Sequence, residues 1–220
     1  MKKFILKLIF WVVLVLAIFF SIIVGLGYLK YKNAINKISI NDKIQEIRKQ
    51  SNYTKIQDID KNYINAVIAT EDHRFYKHKG VDYLSLFHST YVNVKRKSLD
   101  YGGSTITQQV GRLLYFNQEK SPIRKIAEMF VARDLEENYS KDEIIELYVN
   151  LIYFGNGYYG IYDASQGYFD KDPDELTLYE ASYLAGLPNA PSIYSEDKTL
   201  GEERRLQVID AMKKYGYIED

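Results

Sequence analysis

The feature that most restricts this chain is an uninterrupted apolar run from Leu8 to Leu29, "LIFWVVLVLAIFFSIIVGLGYL". Twenty-two residues at about 1.5 Å per residue make a helix of roughly 33 Å, enough to cross the hydrocarbon core of a bilayer. A buried core helix of that length is improbable in a 220-residue protein. A cleavable leader would have a shorter apolar stretch ending in an A-x-A-like site. Only the weak "GLG" of Gly25–Gly27 stands there, so the run reads as an uncleaved single-pass anchor behind a seven-residue tail. Lys30 and Lys32 beyond the run nearly balance Lys2, Lys3 and Lys7 before it, so the distribution of lysines does not set the orientation.

Outside the tail the chain has 26 basic against 29 acidic residues, which disfavours a nucleic-acid partner. Cysteine is absent, which excludes disulfides and thiolate metal sites. Residues 30–57 are polar and read as a membrane-proximal linker or helix, and residues 58–220 as one further domain. Start signals there are mostly helical. Asp60 can cap a helix towards Glu71, and Ser121–Pro122 can open one running to about Asn138. "SKDE" at 140–143 and "TLYE" at 177–180 are capping boxes, the first for a helix expected through Phe154. "GNG" at 155–157 is a break, and no alternating strand run appears. The expected fold class is mainly α. "YLSLFHSTYVNV", 83–94, followed by "KRK", is either a buried element or an amphipathic one lying in the membrane interface.

Two glutamates continue apolar stripes. Ile64, Val67 and Ile68 lie seven, four and three residues before Glu71 and share its helical face; Val131, Ala132 and Leu135 follow Glu128 in the same way. A carboxylate so placed faces the interior or a cleft, where desolvation raises its pKa towards the range of a general acid or base. Arg124, Lys125 and Arg133 crowd the helix of Glu128, which suits either a solvated surface or an anionic ligand. "YGGSTITQQVGR", 101–112, places two glycines before a dense set of neutral donors and acceptors: Ser104, Thr105, Thr107, Gln108 and Gln109. Such a set suits sugar hydroxyls, and Thr105 with Gln108 can form a capping box. His73, His78 and His88 have no zinc-type spacing, so no metal site is evident in the sequence.

Taken together, these segments resemble the peptidoglycan glycosyltransferases, the monofunctional transglycosylases and N-terminal domains of bifunctional penicillin-binding proteins. "EDHRFYKHKG" (71–80) looks like the family's E-D-x-x-F-x-x-H-x-G, "GSTITQQ" (103–109) its G-S-T-x-T-Q-Q, and "RKIAE" (124–128) its R-K-x-x-E. "KDEIIELYVNLIYFGNGYYGIYDASQGYF" and "LTLYEASYLAGLPNAPSIY" are similar to the remaining motifs, so the likeness spans roughly 58–218.

The resemblance implies a lysozyme-like α-helical head with a smaller membrane-proximal jaw, on the outer face of the cytoplasmic membrane. It implies that Glu71 is a general base acting on the acceptor lipid II. Arg112, Arg124, Lys125 and Arg133 would hold the pyrophosphate, alone or with a divalent cation (Mg or Mn), while Glu128 orients them or assists the leaving side. The Ser104–Gln109 segment and the other motif positions Asp72, Phe75 and His78 are carried over as substrate contacts. Expected partners are lipid II, the nascent glycan strand, membrane lipid, and proteins of wall synthesis or division. Arg112 in place of lysine, His88 in place of arginine, "YDAS" (162–165) in place of an E-A-A-A-like run, and Asp170 in place of a small residue depart from the pattern. A lysozyme-like hydrolase and a non-catalytic scaffold are the alternatives. "SEDK" at 195–198 has S-x-x-K spacing, but no S-x-N or K-T-G follows it, so it reads as chance.

Overall fold

A computed structural model describes residues 2–96, 102–117, 119 and 121–219. It is mainly α-helical. Among the described residues the only β pairings are isolated bridges, Lys79 with Val81 and Tyr153 with Tyr159.

Helix α1, Lys2–Lys37, contains the whole apolar run and continues unbroken beyond it. Among the described residues it is the one helix long and apolar enough to cross a membrane. Its large apolar side chains are exposed along the span, as a lipid-facing helix requires; only Gly27 and Tyr31 are buried. α2, Ile40–Arg48, follows at once, capped by Ser39, and sends Ile44 into the core. Helix is therefore the form found for most of 30–48, and Ile35, Ile47, Tyr53 and Ile56 pack on the core as well.

α3, Lys61–Glu71, is capped by Asp60, whose carboxylate accepts from Asn62 N at 2.8 Å. α4, Tyr83–Arg96, shows Leu84, Phe87 and Val94 each more than three-fifths exposed. The element is therefore not a buried one. α5, Ile106–Tyr115, begins with the Thr105–Gln108 capping box. α6, Pro122–Asn138, has proline in its first turn, although Ser121 makes no side-chain cap. α7, Lys141–Leu151, starts at the Ser140–Glu143 box but stops three residues short of Phe154. There the chain turns back on itself: Phe154 N donates to Tyr158 O and Gly160 N to Ile152 O, through Gly155, Asn156 and Gly157, all at positive φ. α8 (Ile161–Phe169), α9 (Leu178–Gly186), α10 (Pro191–Glu196) and α11 (Lys198–Lys214) complete the domain.

The core is shared by α3, α5, α6, α7, α9 and α11, around Ile68, Ile106, Val131, Ile144, Tyr148 and Leu184. Two close helix approaches position the site. Gly111 on α5 lies so close to α6 that a Cβ there would stand 3.1 Å from Val131 Cγ1. Gly27 on α1 sits against Ile126 so closely that a Cβ would lie 2.5 Å from its Cγ2. Beside it Tyr28 and Tyr31 meet Phe130, and the Tyr31 hydroxyl donates to Asp134. The anchor is thus clamped to α6, not tethered to it.

Candidate active site

Glu71 ends α3 because Asp72 leaves the helical region (φ −160°) while its N–H still bonds Ile68 O. Ile64, Val67 and Ile68 are buried beneath it, as the stripe requires, and Glu71 itself is half-buried on the wall of a cleft of about 570 Å³. Gln109 Nε2 donates to Glu71 Oε2 at 2.8 Å, fixing one carboxylate oxygen. The other end of the Gln109 amide faces Arg112: Nη2 to Oε1 is 3.4 Å.

Glu128 is buried in α6, its side chain 3 % exposed. Arg124 Nη1 donates to Oε1, and Lys125 Nζ lies 3.3 Å from Oε2, so both oxygens are occupied by cations. Lys125 also donates to Ser104 Oγ, which joins the second motif to the third. Burial, and then the charges of Arg112 and Arg124, draw the Lys125 ammonium down to about 8. Burial followed by Arg112 also lowers the Arg124 pKa. Three cations held this closely weaken one another's hold on a proton. A hydrogen-bonded path thus runs from Glu71 through Gln109 to Arg112, which neighbours the pair clamped by Glu128.

Of the other expected contacts, Asp72 and Thr105 line the cleft with Glu71, and the rest lie elsewhere. Arg133 is 73 % exposed and paired with Glu137 at 2.7 Å, away from Arg124 and Lys125. Thr105, Thr107 and Gln108 are buried and internally satisfied. Thr105 donates to Gly80 O, Thr107 to Glu136 Oε1 at 2.6 Å, and Gln108 closes the capping box. Only Ser104 and Gln109 of that polar stretch touch the charged groups of the site. Asp72, Phe75 and His78 form the scaffold of the turn behind Glu71. The buried Asp72 carboxylate takes Ile106 N at 3.0 Å and His78 Nε2 at 2.9 Å, tying the turn to the start of α5. Phe75 is fully buried under the Lys141 ammonium. His88, one of the departures, lines the cleft.

The cleft also contains groups that no sequence motif marked. The His73 ring stacks on Tyr215 (centroids 4.2 Å apart, 10° between planes), and Lys214 stands beside them. Burial lowers the His73 pKa towards a neutral ring. Arg74 pairs with Asp82 at 2.8 Å, and Asp82 caps α4 through Leu84 N. The Asp82–Ser85 spacing is a cap signal visible in the sequence; nothing local pointed to Tyr215, which arrives from the far end of the chain.

The donor set does not fit a protein-held metal centre. Among the described residues no three His, Cys, Asp or Glu side chains converge, and the oxygens of Glu128 are already taken by Arg124 and Lys125.

Residues 40–213 match the transglycosylase family. The chain is 42 % identical over 167 residues to penicillin-binding protein 1F of Bacillus subtilis, covering 74 % of this chain and 23 % of that protein. It is 41 % identical over 155 residues to penicillin-binding protein 4 of the same organism, covering 70 % and 25 %. With penicillin-binding protein 1A of Neisseria lactamica it shares 48 % over 143 residues, covering 65 % and 18 %. The match therefore spans a quarter or less of each of these longer relatives. With the family match running from α2 through almost all of α11, this chain belongs to the transglycosylase family, the peptidoglycan glycosyltransferases.

Proposed function

We propose that the chain polymerises lipid II into β-1,4-linked glycan strands. In this reading α1 crosses the cytoplasmic membrane, the helical domain stands on its outer face, and the exposed apolar side of α4 rests in the same bilayer. Glu71 takes the proton from the 4-hydroxyl of the acceptor's N-acetylglucosamine. That oxygen attacks the anomeric carbon of the donor's N-acetylmuramic acid. The bond from that carbon to the pyrophosphate breaks, its electron pair leaves on undecaprenyl pyrophosphate, and the configuration inverts.

The observation that supports this most is the path Glu71–Gln109–Arg112 leading to Arg124 and Lys125. A base and a cation cluster are held in one framework, the two requirements of displacing an anionic leaving group. Pyrophosphate needs its developing charge matched more than it needs a proton, and three cations supply that. Glu128, with both oxygens engaged, acts as the brace that orients Arg124 and Lys125 and is not free to serve as a second base. Ser104 aligns Lys125 in the same way.

The test is to incubate the detergent-solubilised full chain with lipid II labelled on its sugar. Polymer together with released undecaprenyl pyrophosphate is expected. Release of sugars from preformed glycan, with no polymer from lipid II, would establish the hydrolase instead.

A further inference from the structure

Where α1 leaves its apolar run, a groove of about 680 Å³ opens between its last turns, the start of α2, the end of α5 and the start of α6. The size is that of a small-molecule site. One wall is apolar, from Leu26, Leu29 and Ile123, and three lysines stand around it: Lys30, Lys37 and Lys43. Its floor is fixed by the Tyr115 hydroxyl, which donates to Ile38 O at 2.9 Å.

The lysines are only lightly committed. Lys30 lies 3.8 Å from Glu119, itself well exposed, and faces the Phe116 ring. Lys43 donates to Leu114 O at 2.5 Å and faces Tyr115. Lys37, exposed in the last turn of α1, has no carboxylate in ion-pair range among the described residues. An apolar slot continuous with a membrane span, ringed by cations at the level of the headgroups, has the chemistry of one kind of molecule: a lipid with an anionic phosphate head. It also accounts for Lys30 and Lys37, which under the outer-face orientation stand on the side where the distribution of positive charge would disfavour them.

We infer that this groove binds one anionic bilayer phospholipid, its phosphate among Lys30, Lys37 and Lys43 and an acyl chain along Leu26, Leu29 and Ile123. The inference rests on α1 spanning a bilayer, as in the proposed function. Such a lipid would wedge the junction of α1 and α6 beside the Gly27 contact, which shares Ile123 with the groove, holding the cation-bearing helix at a set height.

The test uses the full chain in nanodiscs of equimolar phosphatidylglycerol and phosphatidylcholine, followed by native mass spectrometry of the released protein. One phosphatidylglycerol should be retained in preference to phosphatidylcholine. Lys30→Gln and Lys37→Gln should each reduce that preference about fivefold. Ala34→Trp, which fills the groove and keeps the lysines, should abolish retention, and Lys2→Gln should change nothing. Thermal unfolding of each variant checks the fold. Equal retention of the two lipids, indifference to Lys30→Gln and Lys37→Gln, or full retention by Ala34→Trp would overturn the assignment. So would displacement of phosphatidylglycerol by an equimolar polyprenyl pyrophosphate, which would give the groove to the reaction's own lipid. The readout needs no turnover, so it stands or falls separately from the polymerisation assay.

Discussion

Lys125 offers a pH test whose size follows from its surroundings. The ordinary ammonium value is 10.5; burial and the charges of Arg112 and Arg124 bring this one to about 8. The protonated fraction then falls from about nine-tenths at pH 7 to about one-tenth at pH 9, and with it roughly tenfold of kcat/KM, which reports the free enzyme. A bound pyrophosphate would favour the charged form, so kcat should fall less than kcat/KM. Stability should move the opposite way. The folded state holds this proton less tightly than the unfolded chain, so the penalty is present below pH 8 and is relieved as pH rises towards 10.5. Alkaline loss of rate would therefore not be unfolding caused by this group. In Lys125→Arg the guanidinium stays charged throughout, and the alkaline limb should flatten even if the geometry lowers the overall rate. The assay is the initial rate of polymerisation at subsaturating lipid II between pH 6.5 and 9.5, with thermal unfolding in parallel. A wild-type profile flat to pH 9.5, or one that Lys125→Arg reproduces unchanged, would refute the assignment of charge.

Three further outcomes are expected. Gly27→Val should place a branched side chain against Ile126 and cost about 1–3 kcal/mol in thermal unfolding, whereas Gly25→Val, with nothing within 4 Å, should cost little. Gln109→Ala, which removes the hydrogen bond to Glu71, should lower polymerisation on the order of ten- to a hundredfold with an unchanged melting temperature. Thr107→Val, which leaves Glu136 short of a partner, should do the reverse, lowering the melting temperature while sparing the rate measured below it.

The contrast between Gln109 and Thr107 marks where sequence reasoning ends. Helix starts were legible because caps are local: Asp60, Thr105, Ser140 and Thr177 each bond an N–H two or three residues on. The inward set of Glu71 and Glu128 was legible from apolar spacing. Which face of α5 meets the core depends on where α6 and α7 lie, so "STITQQ" could not be divided in advance into buried braces and site-facing groups. Arg133 is a different matter. At about 100° per residue, nine residues place it on the side of α6 opposite Arg124, and strict use of the helical period would have separated it from that member of the expected phosphate-binding set. The clamp between α1 and α6 had its signals in Gly27, Tyr28 and Tyr31, but small and aromatic residues at the edge of an apolar span are equally at home facing lipid.

The central claim is that Glu71 removes a proton in a cleft linked through Gln109 to a cluster of cations. It is tested most directly by Glu71→Gln, which preserves shape and can still bond the side chain of Gln109. Initial polymerisation rates on lipid II should drop by about a thousandfold, within the range of a lost general base, while the melting temperature stays put. A variant that melts like the wild type and polymerises within tenfold of it would contradict the account.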